Sequence, residues 1–408
     1  MTEIPPAAPL AHAPRITDLM HGRFALTPVT VLLVGLNLAA FAAMLLNGGG
    51  FWHSPNHVQL AWGAGFGPAT KEGEWWRLAT AMFLHFGVVH LFMNMAALWE
   101  AGRLVERLYS SPRFLVIYAL SGLTGNVVSL IAQGDQAVAG GASGAVFGVY
   151  GALLVCLWRE REQVNRTEFR WLFWGAALFA AVTIALGFIV KGIDNAAHIG
   201  GLVAGAVMGE ALARPLAAGS PVNRRVKWIA LLTYAAAVPV LLRLIPEPTY
   251  SWQEEKLARV EIRHFMDEEK RLMERWQGIL NKSRQRGASF EQLANEIESD
   301  IAAEYRQNFE QLSALHLDPA APSNETLEVL KKYAQLRSEA SQALAEALRD
   351  NDTARIREAL EMARRAPYIA RGQQPPTPGA PIGSVLDLYG TKPQIDFGQR
   401  QERPSKSP

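Results

Sequence analysis

Ser143 and His198 are the residues of this 408-residue chain whose types could carry covalent chemistry. A hydroxyl becomes a usable nucleophile when a base takes its proton, and near neutral pH imidazole is the usual base. Ser143 stands in Gly140-Gly141-Ala142-Ser143-Gly144-Ala145, and His198 in Asn195-Ala196-Ala197-His198-Ile199-Gly200-Gly201. Each opens an apolar stretch too long for a soluble core. Polar groups at membrane depth are costly and tend to mark function. The pair therefore points to acyl transfer inside a bilayer, with serine attacking and histidine moving the proton. Singly, each has a plainer reading: glycine-serine motifs also pack membrane helices, and a lone histidine also serves as a structural hydrogen-bonder.

Acyl transfer needs donors where negative charge develops on the carbonyl oxygen. If Ser143 starts a helix, the free N–H groups at Ser143 and Gly144 supply them, along with the positive end of the helix dipole. His90 and Asn94, four residues apart, share a helix face and can add side-chain donors. Asn94 taken alone reads as an interhelical hydrogen-bonder, the reading kept for Asn37, Ser121, Asn126 and Ser129. Asp194, four before His198, falls at the membrane boundary, so a Ser143/His198 dyad is expected rather than a triad. Gly201, Gly205 and Gly209 form a small-residue stripe on the His198 face, opposite Gly144 and Gly148, and such stripes let helices approach closely. Phe147, one turn below Ser143, is placed to pack on the His198 ring or to face lipid or core.

Seven apolar runs must position these residues: 29–46, 83–101, 114–132, 142–158, 171–190, 196–212 and 228–245. Most approach the roughly 17–20 residues a bilayer requires. His85, His90 and Asn94 interrupt the second, and Pro239 lies in the seventh. Arginines 103, 107, 113, 159, 161, 166, 170, 214, 224 and 225 fall between spans on one side, together with Arg15, Arg23 and Lys227. The other side holds only Lys71, Arg77 and Lys191. The positive-inside rule then puts the N-terminus in the cytoplasm and opens Ser143, His198 and Asn94 toward the extracytoplasmic face of a multi-pass cell-membrane protein. The tryptophans of Gly49–Arg77 suit a loop lying partly at headgroup level.

The expected fold is all-α, a polytopic bundle with a soluble helical region behind it. Its parts are a flexible segment 1–25, a six-span core 26–213, a basic inner loop 214–227, a seventh span 228–245, soluble helices 246–366 and a disordered Pro-rich tail 367–408. No cleavable leader is read before Val29. In the soluble region Leu257, Val260, Leu272, Trp276 and Ile279 recur at helical spacing, as do Phe290, Leu293, Ile297, Ile301, Tyr305 and Leu312. Ser289 with Gln292 makes a capping box. A third helix runs through Leu327, Leu330, Ala334, Leu344 and Leu348, and Asp350-Asn351-Asp352 turns into a short fourth. An odd number of spans puts this region outside, where it either recruits substrates or binds a protein partner, or is a solvated appendage without a client. The chain is 49% hydrophobic with a net charge of +2, which gives no argument for nucleic-acid binding. Its single cysteine, Cys156, excludes an intrachain disulfide. No metal or cofactor motif is present, so none is expected.

In these motifs the chain resembles the rhomboid family of intramembrane serine proteases. The likeness runs from about Leu26 to Leu212 and rests on Trp76-Arg77, on His85 through Asn94, on Gly141-Ala142-Ser143-Gly144 and on Ala197-His198-Ile199-Gly200-Gly201 continuing to Gly205. It implies a six-helix core whose fourth helix begins at the nucleophile, a wet cavity open to the outer face, and cleavage of transmembrane protein substrates within the lipid bilayer. It assigns Ser143 as nucleophile, His198 as base, and His90 and Asn94 to the oxyanion. Trp76 and Arg77 fall to the structural outer loop, and Gly201 and Gly205 to close packing. Phe147 departs from the tyrosine often found there, so a hydroxyl is lost. The competing readings are a catalytically silent rhomboid-like protein that binds transmembrane clients, and a transporter, which the lack of internal repeats disfavours.

Overall fold

The computed structural model describes Ile16 and residues 26–135, 137–215, 222–284 and 287–374. The described residues divide into two compact units that part between Pro248 and Thr249. The expected flexible segment 1–25, apart from Ile16, and the tail beyond residue 374 lie outside the described residues. Both units are helical among those residues, and the one β-type pairing is an isolated antiparallel bridge between Gly65 and Ala139.

The first unit contains α1 (Pro28–Leu46), α2 (Val88–Tyr109), α3 (Ser111–Gln133), α4 (Ser143–Glu160), α5 (Arg166–Gly187), α6 (Asn195–Ala211) and α7 (Arg224–Leu244). Helices α1, α3, α5 and α7 are long and apolar enough to cross a membrane, and α2 joined to Arg77–Phe83 makes a fifth such segment, bent by 93°. Among the described residues the length-and-composition criterion is thus met by four or five segments rather than seven. The two shortfalls are α4 and α6, of 18 and 17 residues. They carry glycines where lipid-facing spans carry leucine, and α4 ends in Arg159-Glu160. Close contact replaces apolar bulk in both.

The second apolar run is also displaced. Its helix starts at Val88, not residue 83, and continues to Tyr109 through a π turn at Leu98–Gly102. Glu106 explains the extension. Its buried carboxylate accepts from the Val29 N–H at 3.0 Å, from the N–H and hydroxyl of Thr30 at 2.8 and 2.7 Å, and from Ser111 Oγ at 2.6 Å. An acid in the middle of a basic stretch thus caps α1, whose own N-cap residue makes no side-chain bond.

The second unit holds α8 (Trp252–Ser283), α9 (Phe290–Ile297), α10 (Ala303–Ser313), α11 (Asn324–Arg349) and α12 (Thr353–Ala370), with a π turn at Glu298–Ala302 between α9 and α10. Trp276, Ile297, Ile301, Tyr305, Leu327, Leu330 and Leu344 share its core. Leu257, Val260 and Phe290 differ from the expected core stripe, being exposed; Ala258, Ile262 and Phe265 take the buried face of early α8 instead. Ser289 does accept from the Gln292 N–H, at 3.4 Å. The fourth helix is not short: α12 has 18 residues and passes the expected boundary at Pro367. Proline deprives the carbonyl four residues earlier of its donor, and here that carbonyl, of Ala363, accepts from Arg337 Nη1 at 3.4 Å. The replacement donor lets the helix run on.

Candidate active site

Ser143 is the first residue of α4, partly exposed and preceded by the buried Gly141 and Ala142. Gly141 has φ of +139°, which side chains beyond glycine rarely adopt, and a Cβ there would stand 2.9 Å from the His90 ring and 3.7 Å from Ser143 Oγ. Glycine is thus required on two counts, backbone and space. The loop is held by the Gly141 N–H, which donates to the Ala81 carbonyl at 2.8 Å, and by the paired bonds of Gly65 and Ala139, each 2.8 Å. It presents the serine rigidly at the helix start. The first turn of α4 has no side-chain cap, so its leading N–H groups remain free beside the hydroxyl.

His198 sits in the first turn of α6, 5% exposed. Its ring lies face to face with Phe147 of α4, centroids 4.2 Å apart and planes 4° from parallel. One helical turn, about 6 Å of rise, separates that stack from Ser143. The two helices meet backbone to backbone: a Cβ on Gly201 would lie 1.9 Å from the Gly144 carbonyl oxygen, and one on Gly205 2.0 Å from that of Gly148. Gly125 of α3 is wedged into the same contact, its missing Cβ 2.7 Å from the Ala197 carbonyl oxygen. Serine and histidine thus occupy the same end of one tight three-helix contact. Among the described residues no hydrogen bond joins Ser143 to His198, and the buried His198 Nδ1 has no partner. Catalytic hydrogen bonds are often long before substrate arrives.

Asp194 does not serve that nitrogen. Its Oδ1 caps α6 by accepting from the Ala197 N–H at 3.0 Å, and its Oδ2 takes the hydroxyl of Ser129 on α3. Asn94 is buried in α2 with its amide turned back to the His90 carbonyl at 2.9 Å. The His90 imidazole, by contrast, borders Gly141, whose Cβ position lies between that ring and the serine hydroxyl. Beside it lies the His85 ring, 5.0 Å away and fully buried.

Arg77 organises the outer loop. It donates to the carbonyls of Leu60 and Ala64 at 2.8 and 3.0 Å, pairs with Glu74 at 2.6 Å, and lies 4.8 Å from the exposed Trp76 ring. Among the other intramembrane polar residues, Asn126 bridges to the Leu78 carbonyl at 2.7 Å. Asn37 and Ser121 bond within their own helices. The sequence reading missed two supports, Glu106 and the Asp194–Ser129 clamp. The signal for the second was an aspartate three residues before the α6 N–H it caps.

A family model described as Rhomboid domain matches residues 72–215, the stretch that carries Arg77, His90, Asn94, Ser143, Asp194 and His198. Rhomboid protease GluP of Bacillus subtilis (strain 168) is 38% identical over 188 residues, 46% of this chain and 35% of that protein. YdcA of the same bacterium, whose name also carries the words rhomboid protease, is 31% identical over 158 residues, 38% of this chain and 77% of that protein. RHOMBOID-like protein 9, chloroplastic, of Arabidopsis thaliana is 35% identical over 152 residues, 37% of this chain and 34% of that protein. The match thus spans about a third of the first and third relatives and most of the second.

Proposed function

Since the chain belongs to the rhomboid family, we propose that it cleaves peptide bonds in or near transmembrane segments of other membrane proteins, with Ser143 as nucleophile and His198 as general base. His198 takes the hydroxyl proton as Ser143 Oγ bonds to the scissile carbonyl carbon. The free N–H groups at Ser143 and Gly144, with the His90 side chain, stabilise the oxyanion. The imidazolium then protonates the leaving nitrogen, the C–N bond breaks, and water hydrolyses the acyl-enzyme by the reverse proton route. The observation that carries this reading is the Phe147–His198 stack one turn from Ser143, across a helix contact that only glycine permits. Asn94, one turn along the same helix face as His90, adds a side-chain donor to the oxyanion when its amide leaves the His90 carbonyl.

The multi-pass chain is oriented with its N-terminus in the cytoplasm and the site opening outward, a reading supported by the Lys/Arg bias of the loops. Counting α4 and α6 as spans makes seven and puts the second unit outside, where it engages a protein partner or substrate. The decisive experiment is a fluorophosphonate probe on detergent-solubilised protein, alongside cleavage of a transmembrane substrate in proteoliposomes. Labelling of wild type, with labelling and cleavage lost in both Ser143→Ala and His198→Ala, is expected. Turnover should fall by about 10³-fold or more. Wild type indistinguishable from Ser143→Ala in both assays favours the silent client-binding alternative.

A further inference from the structure

At the end of the bundle away from Ser143, basic side chains from separate elements converge. Arg113 comes from the first turn of α3, Lys227 from the start of α7, and Arg214 from the chain just beyond α6. Arg214 and Lys227 gather beside Arg159 near the end of α4, and Arg113 lies beside those two. Arg159 is already committed: it pairs with Glu160 at 3.1 Å, lies 3.8 Å from Glu210, and donates to the Arg214 carbonyl at 3.2 Å. Lys227 donates to the Ala213 carbonyl at 3.0 Å. The remaining charge is unbalanced. Arg113 stands close enough to Arg214 for their charges to oppose, and Lys227 is opposed in turn by Arg113 and Arg159 and drawn by Glu210; four cations thus face the two acids Glu160 and Glu210. Among the described residues neither Arg113 nor Arg214 forms an ion pair.

Like charges brought together by three elements repel unless an anion sits among them. Three tryptophans mark the depth. Trp158 precedes Arg159, Trp228 follows Lys227, and Trp171 lies in the second turn of α5 at the same end; all are more than half exposed. Indole rings at that density settle at the headgroup level of a bilayer. The ligand is therefore a phosphate carried at that level.

We propose that Arg113, Arg214 and Lys227 form a binding site for the phosphate of an anionic phospholipid headgroup, on the face of the bundle opposite Ser143. The fork of a guanidinium suits a phosphate's two free oxygens, and two such forks with an ammonium answer one headgroup. The site does not depend on the protease reading.

The full chain in uncharged detergent is given phosphatidylglycerol, phosphatidylcholine or inorganic phosphate in parallel. Retained lipid is read by native mass spectrometry and the melting temperature by a thermal ramp. Phosphatidylglycerol should be retained about tenfold over phosphatidylcholine and should raise the melting temperature by several degrees, an effect that shrinks with added salt. Arg113→Gln with Arg214→Gln should abolish both preferences, whereas Arg113→Lys with Arg214→Lys, which keeps the charge but not the forks, should keep only part of them. Equal retention by wild type and the double glutamine variant overturns the site. A full shift produced by inorganic phosphate alone overturns the lipid assignment in favour of a soluble anion.

Discussion

At the scale of single residues, the proposed chemistry depends on how the His198 ring is held. Phe147 covers one face of the imidazole, and no carboxylate holds the buried Nδ1. The ring's orientation therefore rests on packing. Phe147→Ala should cut cleavage by about 10-fold or more while Ser143 stays reactive in principle, since about 1.4 kcal/mol of lost positioning is tenfold. Phe147→Tyr should stay within a few-fold of wild type. Initial cleavage rates of the two variants, compared at equal folded concentration, check this; equal loss in both would mean simple disruption. Asp194 argues the other way. It caps α6 and holds Ser129 rather than the histidine, so Asp194→Ala should cost stability of about 1 kcal/mol and leave fluorophosphonate labelling within a few-fold. Abolished labelling in a variant that still melts cooperatively would restore the aspartate to the machinery. The serine, the histidine and their glycines were legible because residue type and spacing carry them. The turning of the Asn94 amide onto His90 and the capture of Asp194 by Ser129 were not, since both depend on partners distant in sequence or on rotamers that spacing leaves open.

At the scale of elements, the contact between α4 and α6 is the part most sensitive to a single atom. A Cβ on Gly205 would stand 2.0 Å from a backbone oxygen, and backbone cannot yield as a flexible side chain can. Gly205→Val should therefore force the helices apart at a cost of about 1–3 kcal/mol or more. The expected result is a lowered melting temperature together with loss of labelling at Ser143. Gly175 of α5 makes the control: nothing lies within 4 Å of its Cβ position. Gly175→Ala should leave both readouts intact. A Gly205→Val protein that labels at the wild-type rate would refute the close contact. This contact was legible as a stripe of small residues, whereas the 93° bend before α2 was not. Nothing in the apolar pattern of 83–101 separates a straight helix from two segments joined at Gly87. Glu106 was hidden for a related reason. Among arginines it looks like a loop charge, and only the uncapped start of α1 shows what it satisfies.

At the scale of the whole molecule, the second unit carries its own internal test. Glu269 accepts from Tyr305 at 2.8 Å and from Tyr333 at 2.6 Å, with Arg337 5.1 Å from the Tyr305 ring, all of them buried. Burial, foremost, pushes both tyrosine hydroxyls above their ordinary range, with the Glu269 charge adding to it against the opposing pull of Arg337. An unfolded tyrosine loses its proton near pH 10, while the folded unit keeps both protons beyond that. The unfolded state thus gains a favourable ionisation that the folded state lacks, and stability falls as pH rises above about 10 with no loss on the acid side from these groups. Melting temperatures taken from pH 8 to 11.5 should decline only past that point; a flat curve would mean the hydroxyls are not held neutral.

Where this unit lies relative to the bilayer decides what it can meet. Each added span exchanges sides, so the seven-span count and an outside location stand or fall together. The length criterion alone counts four or five segments, because α4 and α6 spend their length on glycine contacts. What remains is the Lys/Arg bias, which is weakest at α7, a continuous helix that holds Pro239 within it and buries no residue. A cysteine introduced at the exposed Ser299, in a Cys156→Ala background, reports the side directly. In intact cells an impermeant maleimide should label it at once, and permeabilisation should add little. Labelling that appears only after permeabilisation would put the unit in the cytoplasm, separating it from Ser143 by the full membrane. In that case it could not present substrates to a site opening outward, and any partner it binds would act from the face of the basic cluster instead.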